Sequence, residues 1–252
     1  MSRILLTAGS DRSLYSLAVA EALRQAGSAP GMILVGYQLS AARLRTLIRT
    51  RGVAAIASYV LGRKNQSSQE RAPLSHYADS LGLETQSLSA WAKYNRVRLV
   101  RVADLNATST ARLVREFSPT QTVYTGGGIP QRSFIDAAQG RVLNAHSDPL
   151  PMIRGMTACE WSLLLGEPPS VTVHYIDEGN DTGREIERLP VAPYPGDTLE
   201  HLRQRCAVAG AEGLVKWALQ NPLTPTFPKQ SATSTPKYRQ CFVTALREMV
   251  DG

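Results

Sequence analysis

Residues 142–183 read VLNAHSDPLPMIRGMTACEWSLLLGEPPSVTVHYIDEGNDTG, and this stretch decides the fold. It predicts a short strand over Val142–Asn144 and a helix over Thr157–Leu165. A second strand, over Val171–Ile176, is predicted from its β-branched and aromatic residues. Alternation of strand, helix and strand is typical of a mostly parallel sheet that helices cover on both faces.

The same alternation extends through the rest of the chain. The predicted strands there are Ile4–Thr7, Met32–Val35, Val97–Val102 and Thr120–Thr125, and the predicted helices are Leu14–Gln25, Ala41–Arg51, Ala54–Leu61, Ala107–Phe117 and Thr198–Gln220. The polar residues 62–75 are predicted to form a loop. We therefore predict an α/β domain over residues 1–220, built on a mostly parallel twisted sheet.

The end of the chain has a different composition. Residues 221–236 contain four prolines among many Thr and Ser, which predicts an extended tether. Residues 237–250 are predicted to form a short helix. We expect residues 221–252 either to dock on the main domain or to pair with another subunit, as in a homodimer.

The composition limits the function classes only broadly. A net charge of +7 favours an anionic partner, which could be nucleic acid, a membrane surface or a phosphorylated small molecule, but a solvated basic surface explains it equally well. The three cysteines lie far apart and lack metal-ligand spacing, so a disulfide framework is not expected. No apolar run has the length of a signal-peptide core or a membrane span, which predicts a cytoplasmic protein.

Polar residues at the ends of two predicted strands suggest an acyl-transfer site. Asn144 and His146 are two residues apart and would point to the same side of one strand. If the two strands are neighbours, a carboxylate from 177–181 can face them. An Asn can donate a hydrogen bond to a carbonyl oxygen that becomes negative during the reaction. A protonated His can stabilise the same oxygen and then act as a general acid. An Asp can hold the imidazolium in position. No Ser or Cys nucleophile is needed when an amine attacks directly.

On the residues alone, both motifs can also be interpreted as purely structural. An Asn-x-His at a strand end is usually a turn with a satisfied histidine, and the DEGNDTG run is usually a solvated turn or a helix cap. Metal binding is a weaker alternative: His146, Asp148, His174 and Asp181 are suitable ligands, but no established metal spacing is present, and we expect no metal.

The two motifs together resemble the catalytic core of the folate-dependent formyltransferases. The first runs from Asn144-x-His146 through Leu150-Pro151 to Arg154-Gly155, and the second runs from Thr172 to Gly183. Both stand in that family's order and at about its spacing. The resemblance, good over about residues 97–220, implies a Rossmann-like formyltransferase fold and transfer of a formyl group from 10-formyltetrahydrofolate to a primary amine.

The resemblance also implies roles for individual residues. Asn144, His146 and Asp181 match the family's catalytic Asn, His and Asp, while His174 is interpreted as supporting the site. The folate would lie against residues near two loops, namely Tyr124, Gly126, Gly127, Gly128, Ile129, Ile176, Asp177 and Gly179. The three consecutive glycines would let a flat ring approach the backbone closely.

Departures from the family pattern concern the acceptor. The candidate acceptor-binding residues are Ser10, Arg12, Asp148 and Arg154. Ser10 lies in a loop whose backbone could bind an anion at a helix start, although Asp11 opposes that. Asp148 either contacts the amine or caps the turn. Residues 40–96 match the family poorly and carry a basic insertion.

These departures favour a small amine acceptor, such as a nucleotide-linked amino sugar whose diphosphate the basic insertion would hold. The tRNA-formylating branch usually carries a C-terminal RNA-binding domain, so a tRNA acceptor is not expected. Two alternatives stay open: hydrolysis of formyl-tetrahydrofolate, and a non-catalytic scaffold that binds a folate or a nucleotide.

Overall fold

A seven-stranded sheet forms the centre of the molecule in a computed structural model, which describes residues 3–36, 72–155, 158–179 and 181–220 and the backbone of 237–239. The strands are β1 (Ile4–Ala8), β2 (Met32–Gly36), β3 (Arg98–Val102), β4 (Gln121–Thr125), β5 (Val142–His146), β7 (Ser170–Tyr175) and β8 (Glu185–Pro190). Their order is β3-β2-β1-β4-β5-β7-β8. The first five are parallel, and β7 and β8 are antiparallel to their neighbours.

Helices pack on both faces of this sheet. They are α1 (Leu14–Gln25), α2 (Pro73–Ser80), α3 (Leu88–Tyr94), α4 (Thr108–Phe117), α5 (Arg132–Ala137), α6 (Ala158–Leu165) and α7 (Leu199–Gln220). One apolar core joins α1, α3 and α7 to one face of the sheet, and a second core joins α4 and α5 to the other. The central strands β1 and β2 are buried throughout, which explains why they read as continuous apolar runs. None of the helices in the described ranges has the length and apolarity that crossing a bilayer requires.

This architecture confirms the predicted α/β fold with a mostly parallel sheet. The sequence did not predict α2, α3, α5, most of β8 or the short strand over Ile153–Gly155. The predicted loop over 62–75 is wrong from Pro73 onward, because Pro73 begins α2 in the first-turn position that proline favours. The two basic helices predicted over 41–51 and 54–61 lie outside the described residues.

The predicted C-terminal helix over 237–250 is wrong at its start. Lys237–Arg239 form a strand, β9, which pairs in parallel with β6 (Ile153–Gly155) in a separate two-stranded sheet. The reason is tertiary: the β6 backbone offers hydrogen-bonding groups that a local helix would leave unused. The rest of that prediction falls outside the described residues.

Candidate active site

The strands β5 and β7 bring the central polar residues together. Their antiparallel register places Asn144 directly opposite His174. The Asn144 Nδ2 atom lies 3.1 Å from His174 Nε2, and His174 Nδ1 lies 3.0 Å from the carbonyl oxygen of Tyr175. Since a carbonyl only accepts, Nδ1 carries the proton of His174 and Nε2 accepts from Asn144. One amide hydrogen of Asn144 is thereby fixed, and its second amide hydrogen is left for another acceptor.

Burial keeps His174 neutral. Burial and, to a smaller extent, the neighbouring His146 lower the pKa of His174 to about 4, against the opposing effect of Asp181. A neutral imidazole is the form that can accept from the amide of Asn144. His174 therefore orients the Asn144 side chain, which agrees with the supporting role expected for it.

Asp181 reaches the same place from the loop after β7. Its backbone adopts a left-handed conformation with φ of 54°. One carboxylate oxygen, Oδ2, accepts from the backbone N–H of Gly155 at 3.0 Å, and the other, Oδ1, lies 3.7 Å from His146 Nδ1. The structure thus brings Asn144, His146 and Asp181 together, as the residue pattern and the resemblance implied.

His146 occupies a more enclosed position than Asp181. Burial lowers its pKa, while Asp181 and a hydrogen bond to the backbone of Ile153 raise it. Its Nε2 atom is buried and has no hydrogen-bond partner among the described residues. The imidazole is therefore neutral at pH 7 in the free protein, whereas the sequence-based hypothesis assigned it a proton.

The loop that carries Asp181 is held in shape by Asp177. The Asp177 carboxylate accepts from the backbone N–H of Gly179 at 3.1 Å and from the hydroxyl of Thr182. A side chain at Gly179 would collide with Thr182, and one at Gly183 would collide with the backbone of Tyr175. The Asp and Gly residues of this motif therefore fix the position of Asp181.

A cavity of about 190 Å³ opens beside these residues. It is lined by Tyr124, Ile129, Pro130, Asn144, Gly155, His174, Ile176, Glu178, Gly179 and Asp181. Four of the predicted folate-binding residues therefore line it: Tyr124, Ile129, Ile176 and Gly179. The wall residues Pro130, Gly155 and Glu178 were not predicted, although Pro130 and Glu178 lie within or next to the two predicted loops.

Three of the predicted folate-binding residues serve the backbone instead. Gly126, Gly127 and Gly128 all have φ between 108° and 134°, a range that side chains disfavour. A Cβ at Gly126 would stand 3.0 Å from the backbone of Gly9, and one at Gly127 would stand 3.0 Å from Leu105. Gly126 and Gly127 let the loop after β4 pack closely against its neighbours, whereas a Cβ at Gly128 would meet open space. None of the three is among the residues that line the cavity.

The predicted acceptor-binding residues do not line the cavity either. Asp148 is fully buried, and its side chain accepts from the hydroxyl of Ser162. Ser10 and Arg12 are exposed on the loop after β1, and Arg154 is partly buried on β6. The Asp11 carboxylate accepts from the backbone N–H of Ser89 at 2.9 Å in the first turn of α3, whose N-cap is Ser87.

Burial raises the pKa of Asp148 to about 7, although the hydrogen bond from Ser162 acts in the opposite direction. The backbone carbonyl of Asp148 accepts from the Thr172 hydroxyl at 2.6 Å, and Thr172 in turn accepts from the N–H of Leu150 at 3.1 Å. Thr172 and Ser162, neither of which was predicted as a supporting residue, therefore tie the turn after His146 to β7 and α6. Within the described ranges, no three His, Cys, Asp or Glu side chains are grouped as a metal ion would require.

A protein-family model and curated relatives match the part of the chain that contains this site. The model of a family described as formyl transferase matches residues 89–218, about half of the chain. Methionyl-tRNA formyltransferase of Anaeromyxobacter dehalogenans is 29% identical over 136 residues, which are 53% of this chain and 44% of that protein. The chain therefore spans less than half the length of that relative.

Solved structures of low sequence identity share the fold. Phosphoribosylglycinamide formyltransferase from Streptococcus pneumoniae superposes with a TM-score of 0.55 at 17% identity, over 89% of this chain and 100% of that one. A sugar N-formyltransferase from a Shewanella species gives a TM-score of 0.56 at 13% identity, over 95% of this chain and 76% of that one.

Proposed function

Because the chain belongs to the formyl transferase family, we propose that it transfers a formyl group from 10-formyltetrahydrofolate to a primary amine of a small acceptor. The main support for the proposal is that Asn144 and Asp181 both line the cavity, while His146 Nδ1 lies 3.7 Å from Asp181 Oδ1. These are the three residues that the family motif assigns to chemistry.

The cavity fits part of a folate. A cavity of about 150 Å³ is enough for a benzene molecule, so 190 Å³ suits a single fused-ring system. Apolar walls at Ile129, Pro130 and Ile176 suit the faces of a flat ring. These residues would hold the pteridine, and the bound donor would supply a formyl carbon attached to nitrogen N10.

Asn144 would stabilise the charge that develops during transfer. As the amine nitrogen bonds to the formyl carbon, the formyl oxygen gains negative charge. The second amide hydrogen of Asn144 is free to donate to that oxygen, and His174 keeps the amide turned for this contact. One such donor typically contributes about 10²–10³ in rate.

Asp181 and His146 would move the protons. Asp181 lines the cavity, and His146 is neutral, with an Nε2 atom that has no hydrogen-bond partner in the part of the chain that the structure describes. A proton released by the attacking amine is taken up by this pair, and the resulting imidazolium is stabilised by the Asp181 carboxylate. The same proton is then available to N10 as its bond to the formyl carbon breaks, so the protons balance.

The acceptor is proposed to carry an anionic group, because the chain has a net charge of +7. A nucleotide-linked amino sugar is the first acceptor to test. The buried position of Asp148 gives no support to a contact between this residue and the amine. The basic insertion, residues 43–64, lies outside the described residues.

The test measures tetrahydrofolate formation from 10-formyltetrahydrofolate with and without a panel of amines. The panel comprises nucleotide-linked amino sugars, glycinamide ribonucleotide and aminoacylated tRNA. Release only in the presence of an amine supports transfer, whereas equal release without any amine indicates hydrolysis and contradicts the proposal. Binding without turnover would indicate a scaffold.

Two variants test the assigned residues. We expect His146→Ala and Asp181→Asn each to lower turnover by at least about tenfold while the fold survives. His201→Ala is the matched control, because His201 lies 3.9 Å from Asp197 in a second His–Asp pair at the start of α7. Near-wild-type rates in either active-site variant would exclude the mechanism.

A further inference from the structure

Tyr124 and Asn144 stand side by side on neighbouring strands of the sheet. The parallel strands β4 and β5 pair Val123 with Leu143, and continuing this register by one residue places Tyr124 beside Asn144. Neighbouring strands lie about 4.8 Å apart, and side chains in register point to the same face of the sheet. Both residues line the 190 Å³ cavity. Tyr124 is therefore placed to contact a group that reacts beside Asn144.

The hydroxyl proton of Tyr124 already has a partner. The hydroxyl donates to the carbonyl oxygen of Gly128 at 2.8 Å. Burial and, to a smaller extent, the Asp181 carboxylate raise the pKa of Tyr124 to about 12, so the phenol keeps its proton at pH 7. A phenol has one hydrogen to donate, and it accepts hydrogen bonds through the lone pairs of its oxygen. While the contact with Gly128 is made, Tyr124 offers a ligand only a hydrogen-bond acceptor.

Asp181 provides a second hydrogen-bond acceptor in the same cavity. Its Oδ2 atom accepts from the N–H of Gly155 at 3.0 Å, and its Oδ1 atom lies 3.7 Å from His146 Nδ1. An ionised carboxylate has about four acceptor positions, so Asp181 has room for further hydrogens. Asn144 has the opposite character, because its second amide hydrogen is a donor.

These donors and acceptors distinguish the two reacting groups of a formyl transfer. The formyl oxygen accepts hydrogen bonds and is matched by Asn144, whereas a primary amine carries two N–H hydrogens and is matched by two acceptors. Given the proposed function, on which this inference rests, we propose that Tyr124 and Asp181 together hold the amino group of the amine substrate, each accepting one N–H hydrogen.

Holding both hydrogens also orients the amine. An uncharged primary amine has two N–H hydrogens and one lone pair, so the lone pair is left to attack the formyl carbon beside Asn144. Orientation of this kind is a large part of what an enzyme contributes when no covalent intermediate forms. Tyr124 then contacts the amine substrate through its hydroxyl oxygen, in addition to any contact that its ring makes with the folate.

The variant Tyr124→Phe removes the hydroxyl and keeps the ring. Initial rates are measured at saturating 10-formyltetrahydrofolate with the panel amine that gives the highest turnover. We expect Tyr124→Phe to lower kcat/KM for the amine roughly three- to tenfold, mainly by raising KM, which is the effect of one lost hydrogen bond. Calorimetric titration of 5-formyltetrahydrofolate without amine should give the wild-type affinity, because the ring still lines the cavity.

The matched control is Tyr94→Phe, which should behave as the wild type. Tyr94 is 87% exposed at the end of α3 and is not among the residues that line the cavity. Thermal unfolding verifies that each variant is folded. If the Tyr124 hydroxyl served only to hold the loop at Gly128, its loss would weaken folate binding, since Ile129 and Pro130 of that loop form a wall of the cavity.

An unchanged KM for the amine in Tyr124→Phe, or weaker binding of 5-formyltetrahydrofolate, would therefore overturn the inference while leaving the proposed function intact. Absence of amine-dependent turnover in the wild-type protein would contradict the proposed function, and the inference with it.

Discussion

At the scale of single residues, Asp148 shows how a polar side chain in a catalytic motif can belong to the scaffold. It stands two residues after His146, yet it is fully buried, and its Oδ2 atom has no hydrogen-bond partner in the described part of the chain. Burial raises its pKa from 3.8 to about 7. The folded state therefore binds more protons than the unfolded state between these two values, and stability falls as pH rises through that window.

The variant Asp148→Asn should remove this dependence. The amide oxygen can still accept from Ser162, and no charge is buried at high pH. We expect Asp148→Asn to be more stable than the wild type by roughly 2–4 kcal/mol at pH 8 and by much less at pH 4. Urea unfolding at the two pH values measures the difference, with the exposed Glu116→Gln as control. An Asp148→Asn advantage that is the same at both pH values would show that ionisation is not the cause.

At the scale of elements, the strand β9 is connected to the site through β6. Gly155 lies opposite Arg239 in this pairing, and the N–H of Gly155 holds the Asp181 carboxylate at 3.0 Å. The pairing of β9 with β6 thus supports the segment that positions Asp181.

Two truncations distinguish the strand from the residues after it. The N–H groups of Ile153 and Gly155 donate to Pro149 and Asp181, so the amide of β6 that faces β9 is that of Arg154. Removing residues 237–252 should make the Arg154 amide exchange with solvent about five- to tenfold faster, because a lost hydrogen bond contributes about 1 kcal/mol. Removing only 240–252 keeps the strand and should leave the exchange rate unchanged. Hydrogen exchange followed by mass spectrometry measures both variants. Equal exchange in the two truncations would contradict the role assigned to β9.

The elements also differ in how far a sequence can predict them. The buried strands β1 and β2 were predicted because parallel central strands are nearly continuous apolar runs. The helix α5 was missed because its six residues are too few for helical periodicity to be visible. The start of β9 was predicted as helix because its strand conformation depends on β6, more than eighty residues earlier in the chain.

At the scale of the whole molecule, the sequence identified the candidate site residues but did not predict how deeply the two histidines are buried. The spacing of Asn144 and His146 predicted that they point to the same side of one strand, and the resemblance of the motif around Asp181 implied that Asp181 joins them. The sequence could not indicate that β7 runs antiparallel to β5 and so sets His174 against Asn144. It also could not indicate that His146 is buried and neutral, because burial results from packing by distant segments.

Burial of two neutral imidazoles near the centre of the domain makes the folded state sensitive to acid. Burial lowers the pKa of His146, and it lowers that of His174 from 6.5 to about 4. In the unfolded chain both would bind protons below about pH 6.5. The unfolded state then binds more protons than the folded state. The contribution of these two imidazoles to the free energy of unfolding is therefore fully present above pH 6.5 and is lost as pH falls toward 4.

Protonation of Asp148 stabilises the fold over part of the same pH range, so the test is a comparison of two proteins. Between pH 7.5 and pH 5, we expect the melting temperature of the wild type to fall relative to that of His174→Gln. The contribution of His174 to the pH-dependent loss of unfolding free energy is at most about 3 kcal/mol, a value reached only near pH 4. The side-chain oxygen of Gln can still accept a hydrogen bond from the Asn144 amide. His76→Gln is the matched control, because His76 is exposed on α2 and its replacement should leave the pH dependence as it is. Thermal unfolding followed by circular dichroism at several pH values measures all three proteins. If His174→Gln and the wild type lose the same number of degrees, the acid sensitivity arises elsewhere, and the neutral state assigned to His174 loses its thermodynamic support.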